Sequence, residues 1–274
     1  MLNTPWELTQ TFDFEGREVK YDILGQGPEL VIVHGTPWSS YNLRHLIIGL
    51  AEHYRVHFYD LIGYGQSDKA AGDVSLGIQN KLLGDLIEHW GLVRPIAIGH
   101  DFGGTTVLRT HILNKKSFSK IVLINPVALK PWGSPFYKLV QENEYVFAAL
   151  PDTLHRALVI AYMKSAAFSE LTDEVISRTA SYWCGKNEQQ AFYRQIAQSI
   201  ELYTDEIEFH YGELSTETHI FWGEEDTWLP VINGLRLKAL IPESTLTVIP
   251  NAGHLVIEEQ HHNLLTLIKN KLIN

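Results

Sequence analysis

Gly99-His100-Asp101-Phe102-Gly103-Gly104 sets an acidic side chain between small residues, in the spacing G-x-nucleophile-x-G. A strand that turns sharply into a helix holds one side chain clear at its apex, and glycine is needed to flank so tight a turn. Serine is the usual occupant, and no G-x-S-x-G occurs in the chain. Aspartate changes the chemistry. A carboxylate is already ionised at neutral pH and needs no base to activate it. It is a competent nucleophile towards a saturated carbon that bears a leaving group. Attack on an ordinary carboxylic ester would give an anhydride. Asp101 is therefore the candidate nucleophile of a reaction that passes through a covalent alkyl-enzyme ester.

Such an ester must be hydrolysed, which calls for a base, a group to orient it and donors for the developing oxyanion. His254, in Asn251-Ala252-Gly253-His254, is the candidate base that takes a proton from water. Asp226, in Phe221-Trp222-Gly223-Glu224-Glu225-Asp226, is the candidate to orient the imidazole and stabilise its charged form. The backbone N–H groups of Thr36 and Phe102 are the expected oxyanion donors. Taken singly, a loop Asp is more often a cap or turn residue, and a histidine more often a packing or surface residue. Their place in the constellation is what singles these two out.

The positions of these groups follow from the elements around them. Phe12 and Phe14, then Val19, Tyr21 and Ile23, alternate about Glu15-Gly16, which predicts a hairpin. Short, almost wholly apolar runs follow at Leu30–Val33, Val56–Tyr59, Ile96–Ile98 and Ile121–Ile124, as suits strands buried on both faces of a parallel sheet. Helical spacing lies between them, at Leu43, Leu46, Ile47 and Leu50, and at Leu82, Leu83, Leu86, Ile87 and Trp90. From about residue 126 to 215 the strand runs stop, and an aromatic-rich stretch reads as helices broken near Pro131-Trp132-Gly133 and Pro151. Ile220–Trp222 and Leu246–Ile249 resume the strand pattern, and a last helix is expected from about Glu258. The chain is thus expected to be an α/β core, 1–125 and 216–274, interrupted by a helical cap, 126–215, that shapes the site. His34-Gly35-Thr36-Pro37, Asp101, Asp226 and His254 each follow a strand run, and in open parallel sheets ligands bind beyond the carboxyl ends of the strands.

Composition narrows the partners. Hydrophobic residues make up 45% of the 274 and charged residues 20%, enough for a sizeable core. The net charge of −10 argues against nucleic acid or an anionic membrane, which attract basic patches. No apolar run approaches a membrane span, and Met1–Trp6 lacks the basic and apolar regions of a signal peptide, so a cytoplasmic location is expected. The single cysteine, Cys184, reads as structural and cannot form an internal disulfide. His261 and His262 are adjacent and cannot share a helix face, so they read as surface residues and not as metal ligands. Neither G-x-G-x-x-G nor a P-loop is present, so no nucleotide, and no other cofactor, is expected. Nothing in the sequence sets an oligomeric state.

The elbow, the H-G-x-P loop, the W-G-x-x-D segment and the A-G-H segment together resemble the α/β-hydrolase superfamily, from about Gly25 to Leu267. The order Asp101, Asp226, His254 is that family's order of nucleophile, acid and histidine. The resemblance implies a mostly parallel central sheet flanked by helices, with the inserted helical cap. Asp101 narrows it to the branch of haloalkane dehalogenases and epoxide hydrolases. His34–Tyr41 and Asp60–Lys69 resemble the dehalogenases. Those enzymes hold the departing halide with the N–H of a Trp after the nucleophile, often helped by an Asn after His-Gly. Phe102 and Thr36 stand there, and a Phe ring has no N–H. Trp38, Trp132 or another residue of the insertion would have to take that task. Epoxide hydrolases use cap tyrosines as acids toward the opening ring. Phe192-Tyr193-Arg194 resembles their motif, and Tyr137 falls near the other expected tyrosine, although an aromatic-rich cap packs tyrosines in any case. The expected function is epoxide-hydrolase-like, on a small apolar molecule and water. Haloalkane dehalogenation is the alternative, ahead of a lactonase, an esterase, a cofactor-free oxygenase or a non-catalytic binder on the same scaffold.

Overall fold

The computed structural model describes residues 6–273; residues 1–5 of the N-terminal stretch read above lie outside them. The chain opens with the expected hairpin, β1 (Gln10–Phe14) and β2 (Arg17–Leu24), paired antiparallel through Phe12↔Val19 and Phe14↔Arg17. It continues through β3 (Glu29–Val33), α1 (Arg44–Leu50), β4 (Arg55–Tyr59), α2 (Leu76–His89), β5 (Ile96–His100), α3 (Phe102–Ile112) and β6 (Ile121–Ile124). Then come α4 (Pro135–Glu142), α5 (Glu144–Ala148), α6 (Asp152–Lys164), α7 (Asp173–Ser181), α8 (Lys186–Ala197) and α9 (Leu202–Glu208) with no strand between them. The sheet resumes at β7 (Thr218–Gly223), followed by α10 (Ile232–Leu240), β8 (Ser244–Ile249), α11 (Val256–Glu259) and α12 (His261–Ile273).

The described residues form one eight-stranded sheet in the order β1-β2-β4-β3-β5-β6-β7-β8, parallel from β4 to β8. The apolar runs sit where both faces are covered: every residue of β5, β6 and β7 is buried. Leu43, Leu46, Ile47 and Leu50 turn one face to that core, as do Leu82, Leu83, Leu86 and Ile87. Each such aliphatic side chain is worth roughly 1.5–3 kcal/mol on full burial. Because β3, β5, β6, β7 and β8 run the same way, their carboxyl ends share one rim.

The C-terminal helix differs from its expected start near Glu258. A short α11 ends at Glu259, Gln260 takes φ −127°, and α12 begins at His261. The break lets two neighbouring carboxylates serve different anchors. Glu258 meets Arg44 at 2.7 and 3.0 Å, while Glu259 accepts from Gly253, Phe168 and Ser169. His261 is half-buried, with its ring stacked on His45 at 4.0 Å, and so is not the plain surface residue expected; His262 is exposed. Among the described residues no helix is long and apolar enough to cross a membrane.

Candidate active site

Asp101 stands at the turn from β5 to α3 with φ 55° and ψ −121°, a conformation that costs a non-glycine residue about 1–3 kcal/mol. The surroundings enforce it. Its N–H donates to Ile124 O (3.1 Å), and its carbonyl accepts from Gly104 N (3.0 Å) and Val127 N (3.2 Å). The flanking glycines are close approaches of backbone to backbone. A Cβ on Gly99 would lie 2.4 Å from Gly103 O, and one on Gly103 would lie 2.1 Å from Val33 O. Gly35 lies directly against the reactive side chain, since its Cβ would meet Asp101 Oδ1 at 2.2 Å. Gly35→Ala must displace either the carboxylate or the His34–Pro37 loop. The expected result is a folded protein that has lost nearly all turnover, and full activity in a purified variant would show that this packing is irrelevant to the site.

The two oxygens of Asp101 face different partners. Oδ1 accepts from Thr36 N–H at 2.7 Å, and Oδ2 lies 3.1 Å from His254 Nε2. His254 Nδ1 lies 2.9 Å from Asp226 Oδ2. Asp226 is itself saturated: Asn125 Nδ2 donates to Oδ2 at 2.6 Å, and Trp228 N and Leu229 N both donate to Oδ1 at 2.8 Å. Asn125 escaped notice in the sequence, although it directly follows the Ile121–Ile124 run, and Asp101 and His254 likewise follow strand runs. The ring of His254 stacks on Trp228 at 5.2 Å, and its carbonyl accepts from His100 Nε2 at 3.0 Å. Burial lowers the pKa of His254. The Asp226 charge, the hydrogen bonds to Asp101 and Asp226 and the Asp101 charge outweigh that, and raise it to about 10. The two carboxylates in contact with it thus favour the imidazolium form of His254.

The His-Gly-Thr-Pro loop is held by His34. Leu61 N donates to His34 Nε2 (2.9 Å), so Nδ1 carries the proton and donates to Gly35 O (2.8 Å). Burial keeps this imidazole below its ordinary pKa, so it stays neutral. Phe102 N–H, at the first position of α3, has no intrahelical acceptor; of the two expected oxyanion donors, it is Thr36 N–H that meets Asp101 Oδ1.

A cavity of about 410 Å³ opens over Asp101, walled by Phe102, Val127, Trp132, Tyr137, Tyr162 and Trp228, with Thr36 at its floor. The Tyr137 hydroxyl is buried near Ser199 and makes no hydrogen bond of regular geometry among the described residues. Burial, and the nearby Tyr162, Tyr64 and Asp101, push its pKa well up; burial and Asp101 do the same for Tyr162. Both phenols stay protonated, as proton donors require. Of the four expected substrate-contacting residues, Tyr137 and Trp132 line this cavity, but the indole N–H of Trp132 is committed to Thr204 Oγ1 at 3.0 Å. Tyr193 and Trp38 lie elsewhere. Tyr193 is fully buried and donates to His155 Nδ1 (2.9 Å), whose Nε2–H is taken by Trp183 O (2.8 Å). Trp38 stacks behind Trp228 at 6.0 Å. Tyr162, stacked on Trp228 at 4.5 Å, takes the place at the cavity that Tyr193 was expected to hold.

The sequence model described as the alpha/beta hydrolase fold matches residues 28–260. Among curated relatives, a 2-hydroxy-6-oxo-6-phenylhexa-2,4-dienoate hydrolase of Burkholderia cepacia is 25% identical, over 84% of this chain and 82% of its own. Haloalkane dehalogenase 2 of Mycobacterium tuberculosis is 24% identical, over 93% and 91%. The crystal structure of an alpha/beta hydrolase fold protein from Burkholderia ambifaria superposes with a TM-score of 0.94 at 43% identity, covering 96% of this chain and 98% of that one.

Proposed function

The chain belongs to the alpha/beta hydrolase fold family, and from that premise we propose that it opens epoxides of small, mainly apolar molecules through an ester on Asp101. One observation carries this reading: a carboxylate, not a hydroxyl, sits at the elbow, between an oxyanion donor on Oδ1 and an Asp226-oriented imidazole on Oδ2. Oδ2 attacks a ring carbon as the carbon–oxygen bond of the epoxide breaks, and the freed oxygen takes the proton of Tyr137 or Tyr162. Esterification removes the Asp101 charge. His254 loses one of the two anions that hold it protonated, gives up its proton to the tyrosinate through solvent, and becomes a base. It takes a proton from water, whose oxygen bonds to Cγ while charge gathers on Oδ1 opposite the Thr36 and Phe102 donors. The bond from Cγ to the alkyl-bearing oxygen then breaks, the leaving oxygen takes the proton from His254, and the diol departs. The new carboxylic acid returns its proton to His254, which restores the carboxylate and the imidazolium of the resting site.

The leaving group is chosen on the donors that face the cavity. Phe102 has no ring N–H, the indole of Trp132 serves Thr204, and that of Trp228 serves Ser165 Oγ at 3.1 Å. Ser134 and Lys138 line the cavity at exposed positions, and the deeply buried donors are the phenols of Tyr137 and Tyr162, which suit a nascent alkoxide better than a halide. The likeness to haloalkane dehalogenase 2 keeps halide displacement as the second reading, since the same ester and the same water serve it. Diol formation from styrene oxide set against bromide release from bromobutane separates the two, and bromide release alone would sink the epoxide reading. Tyr137→Phe and Tyr162→Phe should each slow epoxide opening by about 100-fold. Tyr193→Phe should turn over normally and lose only about 1 kcal/mol of stability with its bond to His155. A fully active Tyr162→Phe would remove that residue from the mechanism.

A further inference from the structure

One polar group of the inserted helices reaches the floor of the site without touching the cavity. Gln195, on α8, is fully buried. Its Oε1 accepts from Thr36 Oγ1 at 2.7 Å and from Tyr64 OH at 3.0 Å. Its Nε2 is buried with no partner among the described residues. A side chain that only filled the gap between helix and sheet would be better aliphatic, because an unpaired buried amide N–H costs about 1–3 kcal/mol. An amide is retained here where its oxygen holds two hydroxyls at once.

Those hydroxyls belong to well-fixed parts of the core. Tyr64 sits in a turn where Gly65, at φ 49°, lies against Asp60, and Asp60 accepts from Ser40 N and Gln66 N at 2.7 Å each. Its ring packs edge-on against His34 and Trp183. Burial pushes the Tyr64 phenol pKa up, so it remains a donor. Thr36 is therefore gripped twice: its N–H by Asp101 Oδ1 at 2.7 Å, and its hydroxyl, through Gln195, by the Tyr64 turn.

We propose that Gln195 is a positioning residue that fixes the Thr36 N–H on Asp101 Oδ1, so that the inserted helices govern the ester-hydrolysis half of the reaction. This rests on the ester reading of the preceding section. The effect is confined to one step by where charge moves. During alkylation the negative charge leaves Asp101, and a well-placed Thr36 N–H gives no advantage. During hydrolysis the charge returns to Oδ1, where that donor lowers the barrier. Loosening Thr36 therefore slows breakdown of the ester and spares its formation.

The test uses the full chain with styrene oxide as probe, and Gln195→Met, which keeps the volume and removes both hydrogen-bond contacts. Ester decay in a single turnover should slow by about tenfold, the loss expected from one or two hydrogen bonds, while ester formation is unaltered. Where hydrolysis limits the rate, kcat and KM then fall together. Thr36→Val breaks the same link from the core side. It should slow decay alike, and the double variant should decay no more slowly than the slower single one. Independently of any substrate, the Thr36 amide proton should exchange with solvent about tenfold faster in Gln195→Met. Unchanged exchange, decay effects that multiply in the double variant, or a fall in ester formation equal to that in decay would each overturn the proposal. If the wild-type protein forms no ester, the reading of the preceding section fails, and the amide exchange still decides whether Gln195 holds Thr36.

Discussion

His254→Gln should stop the reaction halfway. A glutamine keeps a polar group beside Asp226 but cannot take a proton from water. The expected result is one equivalent of substrate bound covalently to Asp101 at close to the normal rate, followed by turnover slowed roughly ten-thousand-fold. Mass spectrometry of the intact protein reads the adduct, and digestion assigns it to the peptide of β5 and α3. The size of the effect follows from the geometry. His254 Nε2 lies 3.1 Å from Oδ2 and lines up with Asp226 at 2.9 Å, and no other histidine faces Asp101 within hydrogen-bond distance. Normal turnover without an adduct would show that another group activates the water.

Asp101→Asn should abolish ester formation, and it should also report on the electrostatics of the resting site. An uncharged amide imitates the esterified carboxyl. With the Asp101 charge gone, His254 keeps burial and Asp226 but loses an anion in direct contact. Its pKa should fall from about 10 by roughly one to three pH units, seen in the titration of the imidazole by NMR. The sign carries over to stability. A histidine raised from 6.5 to about 10 on folding adds stability that is fully present below about pH 6.5 and lost as the pH rises towards 10. In the variant that contribution should fade at lower pH. An imidazole that titrates alike in both proteins would remove the switch by which esterification frees the base.

The core of the site was legible because its signals are local. Gly99, Gly103 and Gly35 are demanded by backbone that passes within 2.4 Å of where a Cβ would stand, or by the Asp101 side chain itself. Asp226 and His254 each follow a parallel strand by a few residues, so strand direction alone brings them to one rim with Asp101. Asn125 obeyed the same rule and was missed. The inserted helices were legible only as helices. Which tyrosine of α6 or α8 faces the cavity depends on how those helices dock, and a motif three residues long does not carry that. Tyr193 turns inward to His155, whereas Tyr162, in the unremarkable run Ala161-Tyr162-Met163, reaches the cavity. Trp132 lines the cavity as expected, yet its N–H is spent on Thr204, a residue 72 positions away. Gln195 gave no signal at all, since its partners Thr36 and Tyr64 lie 159 and 131 residues from it.

The claim on which all of this depends is that Asp101 becomes an ester and is hydrolysed at its own carbonyl carbon. A single turnover of epoxide in heavy-oxygen water, with excess protein, decides it. If water attacks Cγ, the new oxygen stays in the protein and the diol carries off an oxygen of Asp101. The expected result is heavy oxygen in the peptide that contains Asp101 and none in the first-turnover product. Heavy oxygen in that product, with an unlabelled Asp101 peptide, would mean that water attacks the substrate directly and that no ester forms.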